Sequence, residues 1–315
     1  MGARAVVPHL GRHLRAAGTG VRRALGVASA ALLVTAVLVA AGVVAPGLVD
    51  PGAGASTGGT YLALGDSVAF GYRPAGERPA PDYHDPASFV GYPELVGRRL
   101  GLSVTNASCP GETVASMISA SQPSNGCENT NGKGGGFRTH FPLHVSYRGS
   151  QLAYAVRYLG SHHHVRLITI DIGLNDVEVC HAITADGCAS PAERTSLVSE
   201  VGQGLLRIYR TLRAAGYSGP IVALTYYTSD YDDPADVAIT RDLDKVISQA
   251  TVAAGGSVAD GYGVFERASS AHGGLPCAAR LIIRLPNGTC DEHPTPVGQA
   301  DLADAVIATF RLQTT

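Results

Sequence analysis

The chain has 315 residues and a formal net charge of −2. That balance excludes a basic footprint for nucleic acid, and no nucleic-acid motif is present. Apolar content is ordinary for a globular protein, and the absence of tryptophan disfavours a module that stacks sugar rings on indoles.

The first segment reads as an address rather than as fold. Arg4, Arg12, Arg15, Arg22 and Arg23 precede an uncharged, mostly apolar run from Ala24 to Ala45, the order of an export signal. Ala53-Gly54-Ala55 offers small residues for a cut before Ser56. The run also has the length, roughly 20 residues, that spans a bilayer. An uncleaved anchor with its arginines inside therefore competes with a cleaved signal peptide. Both put the body outside the cytoplasm, secreted or held at the cell envelope. Residues 1–59, ending in a linker rich in Pro, Gly, Ala and Ser, are set apart from a single domain over 60–315.

Within that domain, Tyr61–Leu64 predicts a short apolar strand, Phe89–Leu100 a helix and Ser103–Asn106 a second strand. Gln122–Gly136 is a loop rich in Gly and Asn. Gln151–Leu159 predicts a helix, with Leu152, Ala155, Val156 and Leu159 on one face. "VRLITIDI", from Val165 to Ile172, is a strong strand. Thr195–Ala215 predicts a long helix ended by Gly216. A strand over Pro220–Thr225, a helix over Ala235–Ala254, a strand over Ser257–Ala259 and a last helix over Ala300–Phe310 follow. Short apolar strands alternating with helices predict an α/β fold: one three-layer α/β/α domain with a central, mostly parallel sheet. Ligands of such sheets gather at the carboxyl ends of the strands.

Six cysteines lie in the domain: Cys109, Cys127, Cys180, Cys188, Cys277 and Cys290. An even count in an exported chain reads as three disulfides. Among the connectivities, short loops favour Cys109–Cys127, Cys180–Cys188 and Cys277–Cys290. The lack of C-x-x-C spacing argues against zinc or redox chemistry.

Polar clusters stand at the strand ends. "GDS" at Gly65–Ser67 follows the first strand, "NASCPGET" at Asn106–Thr113 the second and "GLND" at Gly173–Asp176 the third; "CDEHPTPVG" at Cys290–Gly298 precedes the last helix. Singly, Ser67 reads as a helix cap, Gly111 and Asn175 as turn residues, and His293 as a loop residue. Together, in this order, they resemble the SGNH hydrolase superfamily, also called the GDSL lipase/esterase family. The likeness runs from about Thr60 to Phe310. It is nearest to the secreted actinobacterial-type lipases and esterases with three disulfides, a branch that "FPLHVSYRGSQLAYAVRYL" also resembles.

The resemblance implies an SGNH, flavodoxin-like fold with Ser67 as nucleophile and His293 as general base. It implies an oxyanion hole made by the Ser67 N–H, the Gly111 N–H and the Asn175 amide. The residue types suit those roles. A neutral hydroxyl needs a base within hydrogen-bond reach. A helix starting just after Ser67 adds positive potential where the oxyanion grows. Gly111 permits close backbone approach, and Asn175 donates without carrying charge. The sequence departs from the family at one place. The aspartate usually found three residues before the histidine is Cys290 here, with Asp291 at −2 and Glu292 at −1. Either Asp291 takes the role or a backbone carbonyl near Cys290 accepts the Nδ1–H. The carbonyl is preferred, on the expectation that a residue at −2 in an extended loop points away from His293's side.

The implied activity is that of an exported serine ester hydrolase, a monomer without cofactor or metal, acting on a small-molecule or lipid ester. It would touch a membrane only through an uncleaved N-terminal segment. The rivals are a cell-envelope O-acetyl esterase or acyltransferase acting on polysaccharide, and a non-enzymatic wall-binding module. Intact Ser67, Gly111, Asn175 and His293 stand against the module. No G-x-S-x-G elbow is present, and "GCENTNGKG" misses a phosphate loop in spacing and in the residue after Lys133. His162–His164, the His140 and His144 pair around Pro142, and the aspartates of "SDYDDP" read as loop residues rather than metal ligands.

Overall fold

The computed structural model describes residues 58–314. The expected leader and nearly all of its linker lie outside the described residues. Among the described residues, no helix is long and apolar enough to cross a membrane.

In chain order, β1 (Thr60–Gly65) leads into α1 (Ser67–Phe70), α2 (Tyr92–Leu100), β2 (Ser103–Asn106) and α3 (Val114–Ile118). A small hairpin, β3 (Asn129–Thr130) and β4 (Lys133–Gly134), and the turn α4 (Phe137–His140) precede α5 (Gln151–Ser161) and β5 (Val165–Asp171). Next come α6 (Leu174–Ile183), α7 (Pro191–Ala214), β6 (Ile221–Leu224), α8 (Pro234–Ala253), β7 (Ser257–Ala259) and α9 (Gly261–Ser269). A second hairpin, β8 (Ile282–Arg284) and β9 (Cys290–Pro294), delivers the chain to α10 (Pro296–Thr314).

Five strands form one wholly parallel sheet in the order β2-β1-β5-β6-β7. The residues Tyr61–Leu64 and Ile221–Leu224 are buried throughout, because a parallel sheet is covered on both faces. α10 packs on α2, α9, β6 and β7, while α7 packs on α3, α5 and α8; these two groups of helices make the outer layers of the expected α/β/α architecture. The chain builds outward from β1 to β2, then returns to lay β5 on the other side. The order therefore reverses between β1 and β5, and a crevice opens above their carboxyl ends.

Several boundaries differ from the sequence pattern for local reasons. α2 begins at Tyr92 because Gly91 caps it and Pro93 sits in its first turn. α7 begins earlier than its apolar pattern: the Ser190 hydroxyl accepts the Glu193 N–H and Pro191 takes the first helical position, where its missing N–H costs nothing. The Gly- and Asn-rich loop contains the β3–β4 hairpin. Three disulfides are present: Cys109–Cys127, Cys180–Cys188 and Cys277–Cys290.

Candidate active site

β1 stops at Gly65, whose φ of 148° suits glycine. A Cβ there would lie 2.2 Å from Asp171 Oδ1, so the glycine lets β1 and the end of β5 close on each other. Asp66 caps α1, its Oδ1 accepting the Val68 N–H at 2.9 Å. Ser67 is then the first residue of α1, where a backbone N–H has no partner inside the helix. α1 is a single turn, so little macrodipole stands behind Ser67 and individual donors must do the stabilising.

Beneath this turn lies a platform of two buried carboxyls. Asp66 Oδ2 accepts the Tyr226 hydroxyl at 2.6 Å and Asn175 Nδ2 at 3.2 Å. Asp171 accepts the Tyr92 hydroxyl at 2.9 Å and the Ala69 N–H at 3.1 Å. Burial pushes both carboxyls above the usual range, and the charge of Asp66 pushes Asp171 further.

Gly111 follows Pro110 after β2 and has a φ of 82°. A Cβ there would lie 2.5 Å from the Asn125 carbonyl oxygen, so no larger residue fits. Asn175 opens α6 at the end of β5 and is buried. Its Oδ1 accepts Asn125 Nδ2 at 2.9 Å. With one hydrogen of its NH₂ given to Asp66, the other remains for the cavity.

His293 sits on β9. Its Nδ1 is 2.6 Å from Asp291 Oδ1, and its backbone N–H donates to the same oxygen at 3.1 Å. The preference for a backbone carbonyl is thereby corrected. The segment is a strand, and in a strand residues two apart share a face; Asp291 therefore lies on the imidazole's side. The Tyr227 hydroxyl donates to the Glu292 carbonyl at 2.8 Å, and the Tyr72 ring packs 4.6 Å from the imidazole. The Cys277–Cys290 bond anchors the start of β9. Burial lowers the His293 pKa, but the Asp291 hydrogen bond and the charges of Glu292, Asp291 and Asp66 outweigh it, and the net direction is upward from 6.5.

Ser67, Gly111, Asn175 and His293 all line one cavity of about 500 Å³. Its lining includes the apolar Val68, Tyr72 and Phe137 and the polar Glu178, Asp236 and Glu292. Asp291 stands behind His293 rather than on the wall. Ser67 Oγ forms no hydrogen bond to His293; such contacts tighten when substrate is bound. Asp291, Glu292 and His293 bring donor atoms within 4.8 Å of one another, but His293 Nδ1 is committed to Asp291. Sequence reasoning overlooked Asp171, Asn125, Tyr226 and Tyr227. An aspartate at the end of a mostly apolar strand was a visible signal for Asp171, since such residues are seldom buried unless paired. The loop around Asn125 carried none.

Ser67, Gly111, Asn175 and a histidine held by a carboxylate thus meet in one cavity at the switch point of a parallel sheet. Residues 63–300 match the GDSL-like Lipase/Acylhydrolase family, and the chain belongs to it, as a carboxylic ester hydrolase. No curated protein sequence matches the chain. Among solved structures, a phospholipase A1 from Streptomyces albidoflavus NA297 is similar at 19% identity and a TM-score of 0.50, over 80% of this chain and 99% of that one. The acetylxylan esterase Axe2 from Geobacillus stearothermophilus is similar at 18% identity and a TM-score of 0.49, over 80% and 94%. At such identity the phospholipase speaks for the fold alone.

Proposed function

We propose that this esterase is exported and works through an acyl-enzyme on Ser67. The single observation carrying this is the Asp291–His293 contact, which presents an oriented imidazole to the cavity that Ser67, Gly111 and Asn175 also line. His293 takes the Ser67 proton as Oγ attacks the ester carbonyl. The oxyanion collects hydrogen bonds from the N–H groups of Ser67 and Gly111 and from Asn175. The imidazolium, steadied by Asp291, returns the proton to the leaving alcohol. Water then repeats the sequence on the acyl-serine and releases the acid. Three disulfides support a body that matures outside the cytoplasm. A fluorophosphonate should label Ser67 stoichiometrically, read by peptide mass, with activity lost in parallel; labelling elsewhere, or none, removes Ser67 as nucleophile.

A second reading, an O-acetyl esterase acting on polysaccharide, is favoured by the polar lining of the cavity, where Thr228, Ser229 and Asp236 offer partners to sugar hydroxyls. p-Nitrophenyl esters of rising chain length, assayed beside an acetylated polysaccharide, separate the two.

The base must be neutral to accept a proton, so kcat/KM should rise with pH through the free-enzyme pKa of His293. Because that pKa is raised, the half-point of the rise is expected above pH 6.5. A half-point below 6.5 would contradict the carboxylate-held imidazole.

A further inference from the structure

We infer that Asn125 is a positioning residue that sets both protein donors flanking Ser67 in the oxyanion hole, an inference that rests on the roles proposed above for Gly111 and Asn175. Asn125 belongs to the loop between α3 and β3. Its backbone N–H donates to the Gly111 carbonyl at 2.8 Å, and its own carbonyl packs where a Gly111 Cβ would stand. Its side-chain Nδ2 donates to Asn175 Oδ1 at 2.9 Å. One residue therefore touches both donor-bearing groups: it grips Gly111 through the carbonyl that follows the donating N–H, and it holds the Asn175 amide through its oxygen.

The side-chain contact decides which way Asn175 faces. Asp66 Oδ2 already accepts from the Tyr226 hydroxyl and sits 3.2 Å from Asn175 Nδ2. Turning the Asn175 amide over would set its carbonyl oxygen against that carboxyl and its NH₂ against the NH₂ of Asn125. Asp66 and Asn125 thus select the same orientation from opposite ends, and the spare Asn175 N–H is kept for the substrate. Donation into Oδ1 also polarises the amide and strengthens the remaining N–H as a donor. The loop is tied down nearby: Cys127, two residues after Asn125, is bonded to Cys109, two residues before Gly111.

Asn125→Asp reverses the contact, because an ionised carboxylate can only accept. It repels Asn175 Oδ1 and draws the NH₂ away from the hole. At pH 8, kcat on a p-nitrophenyl ester should fall by about 10²-fold, the scale of losing one oxyanion-hole donor, with KM changed less than about threefold. Asn125→Ala, which leaves Asp66 to orient the amide, should lose about tenfold or less. As the pH falls toward 5, the ratio of Asn125→Asp to wild type should recover, because a protonated carboxyl can again donate to Oδ1; a mere packing defect would not titrate. In an Asn175→Ala background, Asn125→Asp should cost under about threefold, since the group it misdirects is gone. A folded Asn125→Asp with kcat near wild type, or full additivity with Asn175→Ala, overturns the inference. If Asn125→Asp does not fold, the same cycle run with Asn125→Ala decides: coupling supports the role and additivity overturns it. Failure of the underlying site is read separately, from an Asn175→Ala variant that keeps wild-type turnover.

Discussion

Ser67→Ala should reduce turnover by a factor on the order of 10⁶, the scale on which serine hydrolases lose kcat without their nucleophile. The size of the effect follows from the bond count. Without Oγ no acyl-enzyme forms, and only the oxyanion donors and His293 remain to assist water. The fold should be untouched, because the turn is held by atoms other than the Ser67 hydroxyl. Asp66 caps it through Val68 N–H, and Asp171 accepts the Ala69 N–H. Circular dichroism and melting temperature should match wild type, and fluorophosphonate labelling should vanish. A well-folded Ser67→Ala protein that turns over within tenfold of wild type would end the assignment.

Asp291→Ala carries the second largest expectation, a fall of ~10⁴ in kcat, the cost of losing the carboxylate that sets a catalytic histidine's tautomer. One oxygen of Asp291 receives both the imidazole Nδ1 and the His293 backbone N–H, so its removal frees the ring and loosens the strand that carries it. The same substitution removes two of the influences that raise the His293 pKa, and the acid limb of the pH profile should shift down. Protein for this comparison must keep Cys277–Cys290 oxidised, as shown by intact mass, because β9 begins at Cys290. A loss of under about tenfold, a barrier change of ~1.4 kcal/mol, would return the orienting role to a backbone carbonyl.

The layers of the fold were legible because their cause is local. "VRLITIDI" can be little else than a buried strand, and Ser103–Asn106 and Ser257–Ala259 carry the same bounds in the structure as in the sequence pattern. The short elements were not legible. α1, α3 and α4 are four or five residues long, too short to show a period, and the β8–β9 hairpin is held by tertiary contacts and a disulfide rather than by alternation. Without a legible β9, Cys290–Pro294 reads as a loop, and the strand geometry that puts Asp291 and His293 on one face stays hidden. Ser67 and His293 stand out in the sequence because motifs mark them, and both line one cavity. Asn125, Tyr226 and Asp171 act through contacts 50 to 160 residues away in sequence, or across β1 and β5, and only folding brings such partners together.

The Cys109–Cys127 bond joins two residues 18 apart in sequence, one beside Gly111 and the other beside Asn125. In the chain-entropy view a loop of this size contributes about 3 kcal/mol to stability, but its position matters more than its sum. The peptide presenting one hydrogen-bond donor and the side chain aiming the other are on the two ends that the sulfur bridge ties together. With these thiols reduced the tie would be gone, and the segments carrying Gly111 and Asn125 would gain a soft coordinate along which to move apart. Oxidation removes the coordinate.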